Sequence, residues 1–243
     1  MVNAYVRNFV YHYKPPWYAR QYAYLDPDVM PGENILPSHI RAVLFDFGGV
    51  IAEEGFQNGL RHLAETRQLD PDEVMDAGRE AVHDSGYVTG TGSEADFWDL
   101  LRQRTGITGD DGYLTGEILN RFIIRPWMIE YVRRLHAAGF ITAILSDQTD
   151  WLERLDKRFH FTDDFDRVFN SYRIGKSKRD PTLFNDVITT LDIIPGEALF
   201  IDDDAGHVKR AREQGLWAIQ FKNRDDFHAR LRALPRELAM PVE

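Results

Sequence analysis

The stretch Arg41-Ala42-Val43-Leu44-Phe45-Asp46-Phe47-Gly48-Gly49-Val50 carries the deciding pattern. Four apolar residues, Ala42 to Phe45, run without alternation and stop at an aspartate and a glycine pair. A short unbroken apolar run bounded by turn residues predicts a strand buried on both faces, as in a parallel sheet. The pattern returns downstream: Phe140 to Leu145 ends at Ser146-Asp147, and Ala198 to Ile201 ends at Asp202-Asp203-Asp204. Arg167 to Ser171 and Leu216 to Phe221 read as two further strands. Helical patterns separate them. Pro126 opens one with Met128, Ile129, Val132 and Leu135 on its apolar face and Gly139 as its stop. Asp180-Pro181 opens another with Leu183, Phe184, Val187, Ile188 and Leu191 on one side. Asp204 is the expected N-cap, and Gly215 the terminator, of a third; a last helix runs through Phe227 and Leu231. This alternation predicts an α/β fold, a doubly wound parallel sheet with helices on both faces.

Residues 53 to about 124 break the alternation. They show helical patterns at Gln57 to Thr66, Pro71 to His83, Ser93 to Arg104 and Tyr113 to Phe122, and no strand. An all-helical insert after the first strand is expected to form a cap over the strand ends, giving a core of 39–53 and 124–243 and a cap of 54–123. Residues 1–38, with six tyrosines and the pair Pro15-Pro16, have no clear period and read as an aromatic arm.

Net charge is −10, which argues against a nucleic-acid partner, since phosphate-backbone binding needs clustered Lys and Arg. A small phosphate ester needs only a few local cations and backbone amides. Cysteine is absent, so disulfides, thiolate metal sites and cysteine nucleophiles are excluded. No run reaches the ~18 apolar residues that span a membrane. A cytoplasmic monomer or homodimer is the expectation.

In a doubly wound sheet, ligands bind beyond the carboxyl ends of the strands. There the sequence puts Asp46, Ser146, Asp147, Asp202 and Asp203. Carboxylates converging on one point repel, and a hard divalent cation with oxygen ligands resolves the repulsion. Asp46 and Asp203 together therefore point to a metal, with Mg2+ as the expected cofactor.

Four motifs in order make the chain resemble the haloacid dehalogenase-like (HAD) hydrolase superfamily, in its helical-cap phosphatase branch. They are Val43 to Ile51, with the leading Asp46; Ile144-Leu145-Ser146; Gly175-Lys176-Ser177-Lys178 followed by Arg179-Asp180-Pro181; and Phe200-Ile201-Asp202-Asp203. The resemblance covers about residues 41–221 and implies a Rossmann-like core. It also implies Asp46 as the nucleophile that forms an aspartyl-phosphate and Lys178 as the lysine that neutralises it, with Lys176, two residues away, as the alternative. It further implies Ser146 as a contact to the transferring group and Asp46, Gly48, Asp202 and Asp203 as magnesium ligands. Backbone amides at Gly48 and Gly49 are further candidates for the phosphate oxygens, and Asp147 a candidate neighbour. The function implied is phosphomonoester hydrolysis of a small metabolite such as a sugar phosphate.

Two positions depart from the family pattern. Gly48 stands where most phosphatases of the superfamily carry a second aspartate for acid–base work. The haloacid dehalogenases also lack it, because a halide leaves without a proton, but they do not use magnesium; hydrolytic dehalogenation and a non-catalytic binding protein are the alternatives. Asp147 stands where a small polar residue is usual. It either carries a proton or caps the helix that starts at Trp151, and the cap is preferred. Glu53 and Glu54 are rival proton carriers. Arg61, His62, Tyr87 and Trp98 are candidates for the cap's pocket lining, with Phe97, Trp98 and Leu101 also readable as cap core. No histidine is assigned a role.

Overall fold

The computed structural model describes residues 39–234, so the expected arm over 1–38 lies outside the described residues. Five parallel strands form one sheet: β1 (Ala42–Phe45), β2 (Ile141–Ser146), β3 (Arg167–Asn170), β4 (Ala198–Asp202) and β5 (Trp217–Gln220). Their order is β3-β2-β1-β4-β5. The chain builds outward from β1 on one side and then returns to build outward on the other. The crevice beyond the end of β1 is thus the switch point where doubly wound sheets bind ligands. Phe45 lies level with Ile144 of β2 and Ile201 of β4, so Asp46 emerges between two strand tips that also end in polar residues.

The strands are apolar on both sides because both sides are covered. Ala42 and Leu44 pack with Leu183, Phe184 and Val187 of α8 (Thr182–Leu191) and with Val208 of α9 (Ala205–Glu213). Val43 and Phe45 share a core with residues of α5 (Pro126–Ala137), α6 (Trp151–Phe159) and α10 (Arg224–Arg232), among them Val132, Leu155 and Phe227. A one-turn helix, α7 (Ser171–Ile174), follows β3.

Between β1 and α5 lie α1 (Gly55–Glu65), α2 (Pro71–Asp84), α3 (Glu94–Thr105) and α4 (Asp111–Leu119), with a 3-10 turn over Tyr87–Thr89. Their starts follow from local chemistry. Asp70 accepts from the N–H groups of Asp72 and Glu73 ahead of Pro71, and Ser93 and Asp96 form a reciprocal capping box. The fourth helix departs from the expected Tyr113 to Phe122. Asp110 caps it two residues earlier, and it stops at Leu119, which frees Phe122 to pack on Phe47 at a ring distance of 5.7 Å.

The insert and the sheet layer meet over aromatic rings. Trp151 of α6 lies 5.8 Å from Tyr87, 6.0 Å from Phe97 and 6.3 Å from Phe56. This contact removes two expected pocket residues. Trp98 is fully buried with its Nε1 donating to Thr115, and the Tyr87 hydroxyl bonds Asp150. Arg61 and His62 pair with Asp72 and Glu117 within the insert. None of the helices among the described residues is long and apolar enough to cross a membrane.

Candidate active site

Asp46 is the first residue past β1 and is 8% exposed. Its backbone N–H continues the ladder to the Ile201 carbonyl, which locks the residue beside β4. The side chain is held at both oxygens. Oδ1 accepts from the Ser146 hydroxyl at 2.6 Å and from the Phe47 N–H at 2.7 Å, while Oδ2 lies 3.0 Å from Lys178 Nζ. The same ammonium donates to Asp202 Oδ2 at 2.6 Å. Lys178 is 1% exposed, an expense only a partnered charge sustains. Lys176, two residues earlier, points away and pairs with Asp186 on the surface.

Lys178 reaches the strand tips because its backbone is fixed on both sides. Asp147 Oδ1 accepts its N–H at 2.8 Å, and Arg210 of α9 donates to its carbonyl at 2.7 Å. This corrects the expected cap role of Asp147. The N–H of Trp151 is taken instead by Thr149 Oγ1, which leaves the Asp147 carboxylate for the segment carrying Lys178.

Carboxylate oxygens of Asp46, Asp202 and Asp203 all lie within 4.8 Å of one another. Burial and the charges of Asp46 and Asp202 push the Asp203 carboxyl up to about 7. Burial also raises Asp46, to about 6, with Lys178 opposing and Asp202 adding to the rise. Asp202 goes the other way: burial works against its charge, yet Lys178 and His207 hold it at about 2. Burial opposes the charge on Lys178 as well, and the surrounding aspartates overcome it and raise the lysine. The site thus holds more negative charge than its one buried lysine offsets. Hard oxygen donors with surplus charge at one point fit Mg2+ in the way the residue pattern suggested. Gly49 completes the cradle: a Cβ there would lie 2.3 Å from Asp203 Oδ2, and its φ of +77° favours glycine in any case.

The loop after β1 folds back on itself. Ala52 N–H bonds the Phe47 carbonyl, Gly48 bridges to Ala52, and Ala52 bridges to Ile124. Arg125 organises it, donating to the carbonyls of Gly49 at 2.5 Å, Val50 at 2.8 Å and Ala52 at 3.0 Å. The rest of that guanidinium pairs with Glu53, so Glu53 is engaged away from Asp46. Glu54 caps α1 through Oε2, and burial pushes its carboxyl up to about 7 with Asp46 adding to the rise.

Three groups near the site had no sequence signal. Arg125 acts through carbonyls on a segment over 70 residues away. His207 brings Nδ1 to 3.2 Å from Asp202 Oδ2, one helical turn past a strand tip and without any ligand spacing. His83 of α2 is held below the usual histidine range by burial and by Arg179, and it also feels Asp147 and His207. The insert therefore brings its own charges near the strand ends.

Comparison with known proteins agrees with this layout. The family model for haloacid dehalogenase-like hydrolases matches residues 40–215. D-ribitol-5-phosphate phosphatase of Bacteroides thetaiotaomicron is 31% identical over 219 residues, 79% of this chain and 97% of that protein. Bifunctional epoxide hydrolase 2 of Rattus norvegicus is 26% identical over 206 residues, 76% of this chain. The chain spans only 37% of that relative's length. Among solved structures, a HAD family enzyme of B. thetaiotaomicron in its magnesium complex superposes with a TM-score of 0.61 at 22% identity, over 76% of this chain and 94% of its own. A match over most of the chain, with Asp46, Lys178 and the acidic pair gathered at the switch point of the sheet, makes the chain a member of the haloacid dehalogenase-like hydrolases.

Proposed function

We propose that the chain hydrolyses small phosphomonoesters through a covalent phosphoryl group on Asp46, with Mg2+ as cofactor. The observation that carries this reading is the pairing of Asp46 with Lys178 beside Asp202 and Asp203, all at one strand-end crevice. The phosphatase relative that matches over 97% of its own length supports it.

In this reading Asp46 attacks phosphorus, the bond to the ester oxygen breaks, and water later releases phosphate from the aspartyl group. Hydrogen bonds from Ser146 and Phe47 hold the carboxylate in one orientation, which is most of what alignment contributes. Lys178 offsets charge on the equatorial oxygens of the transferring group. Asp46, Gly48, Asp202 and Asp203 would hold Mg2+, which supplies further charge neutralisation when bound. Backbone amides at Gly48 and Gly49, with Ser146, complete the phosphate contacts, and Asp147 acts on them through Lys178. Residues 54–123 serve as the cap over a small alditol or sugar phosphate.

A second reading, hydrolytic dehalogenation through an ester on Asp46, is favoured by one observation, the missing side chain at Gly48. Metal dependence separates the two. Phosphate release from a panel of phosphomonoesters, with and without Mg2+ and alongside Asp46→Asn, is the test. Magnesium-dependent turnover that vanishes in the variant is expected. Halide release from 2-haloacids without added metal would overturn the proposal.

A further inference from the structure

The loop that follows Asp46 returns a carboxylate to the very place that Gly48 leaves empty. A Cβ built on Gly48 would have Glu54 Oε1, Gln148 Nε2 and Phe122 Cε1 as its nearest neighbours, each at 3.6 Å. Glu54 gets there because the chain doubles back: Ala52 bonds Phe47, and Glu53 donates its N–H to the Ile123 carbonyl. Its Oε2 is anchored by the Gln57 N–H at 2.6 Å, at the start of α1, which turns Oε1 toward Gly48. The other nearby carboxylates are committed elsewhere. Glu53 pairs with Arg125, Asp147 holds the Lys178 backbone, and Asp203 lies against Gly49.

We propose that Glu54 performs the acid–base work of the reaction, standing in for the side chain that residue 48 lacks. This rests on the phosphatase reading above. In the first step Asp46 forms its bond to phosphorus, the bond from phosphorus to the ester oxygen breaks, and the Glu54 carboxyl gives its proton to that oxygen, releasing an alcohol. In the second step the Glu54 carboxylate takes a proton from water, the hydroxide forms a bond to phosphorus, and the bond to Asp46 breaks. Phosphate leaves, and both side chains return to their starting states. Charged groups facing Glu54 are Asp46, Asp203 and Arg79 of α2. Burial and Asp46 favour its protonated form while the N-terminus of α1 and Arg79 favour its charged form, which suits a group that must alternate between them. Phe122 walls this corner from the insert side.

The test compares two esters that differ in leaving group, D-ribitol 5-phosphate and p-nitrophenyl phosphate, on the full chain with Mg2+. Glu54→Gln keeps an oxygen to accept from Gln57, so α1 keeps its cap. Its turnover of the alkyl ester is expected to fall about 10²- to 10⁴-fold. Nitrophenolate leaves without a proton, so the variant should still give a rapid burst of it equal to the enzyme concentration, followed by a slow steady state. Gly48→Asp in the Glu54→Gln background is the rescue. Residue 48 is not in the left-handed region and its Cβ would meet only ordinary contacts, so the double variant is expected to regain about tenfold or more on the alkyl ester. A wild type that turns over, is silenced by Asp46→Asn, yet is unchanged by Glu54→Gln would sink the Glu54 assignment alone. Equal loss on both esters with no burst and no rescue would also overturn it, as a structural role. A wild type that releases phosphate from neither ester would remove the phosphatase reading and this one together.

Discussion

Asp147 and Lys178 are joined through a side chain and a backbone: Asp147 Oδ1 accepts the Lys178 N–H at 2.8 Å. The residue next to Asp147 is Ser146, whose hydroxyl meets Asp46. One strand tip therefore supplies a hydrogen bond to Asp46 and also sets where the lysine that meets the other Asp46 oxygen begins. The long lysine side chain has several rotors, and fixing its root limits how far the ammonium can drift from Asp46 and Asp202.

Asp147 should accordingly be a positioning residue. Asp147→Ala removes the acceptor, and a shift of about 1 Å in a charged group at a reacting centre costs on the order of 10²-fold. Turnover of a phosphomonoester should drop by that order in Asp147→Ala and recover most of the way in Asp147→Asn, whose amide oxygen still accepts. Amide exchange at Lys178 should quicken in the alanine variant and stay slow in the asparagine one. Equal rates of exchange in both variants would refute the clamp.

Lys178 itself should matter for stability as well as activity. Replacing it by methionine leaves Asp46 and Asp202 buried with no cation between them, a change that costs about 3–5 kcal/mol when one partner of a buried pair is lost. Urea unfolding in the presence of a chelator should report a loss of this size. Lys176→Met should stay within about 0.5 kcal/mol, because the Lys176 pair with Asp186 is exposed. Similar midpoints for the two variants would contradict the burial argument.

How far these relations were readable in the chain depends on how local they are. Asp46 and Asp203 come directly after a strand, and Ser146 and Asp202 are the last residues of theirs, so an apolar run ending in a polar residue announces all four, and a parallel sheet brings such tips together. The capped starts of α2 and α3 were legible for the same reason, since a cap is a contact between near neighbours. Asp147 was misread because both its possible partners, the helix at Trp151 and the Lys178 backbone, suit a carboxylate, and only packing decides between them. Arg125 and His207 were invisible because their partners are backbone carbonyls and a carboxylate that only the folded chain brings near. Trp98 and Tyr87 carry polar atoms that suit a pocket lining, yet aromatic packing against Trp151 buries both.

Protons and Mg2+ should compete at Asp203. Its carboxyl is raised in the folded, metal-free protein to about 7 by burial and by Asp46 and Asp202, so the fold holds this proton more tightly than the unfolded chain does. The sign follows: this group's contribution favours folding below the ordinary aspartate range and is lost as pH rises toward 7. Mg2+ takes only the deprotonated carboxylate, so below pH 7 its apparent affinity should weaken by up to about tenfold per pH unit. Asp202, held at about 2, does not titrate in this window, whereas Asp46, raised by burial to about 6, adds to the proton competition at its acid end. Thermal unfolding with graded Mg2+ at pH 6, 7 and 8 is the check, with a much larger stabilisation at pH 8 than at pH 6. A midpoint concentration that does not move with pH would mean that Asp203 is not part of the cation site.

Gly49 gives the sharpest steric test of that site. Its φ of +77° strains any side chain, and a Cβ there would sit 2.3 Å from Asp203 Oδ2, a distance at which the carboxylate must move. Backbone strain of this kind costs about 1–3 kcal/mol. Gly49→Ala should lower the unfolding temperature without metal and, because the displaced group is a candidate ligand, should also lack the rise with Mg2+ that is expected of the wild type. Gly48→Ala separates the two effects: its Cβ meets nothing closer than 3.6 Å, so the fold should lose little stability and keep its response to Mg2+. A Gly49→Ala protein that is strained yet still stabilised by Mg2+ to the wild-type extent would show that Asp203 can leave its place without loss of the cation, and would take Asp203 out of the ligand set.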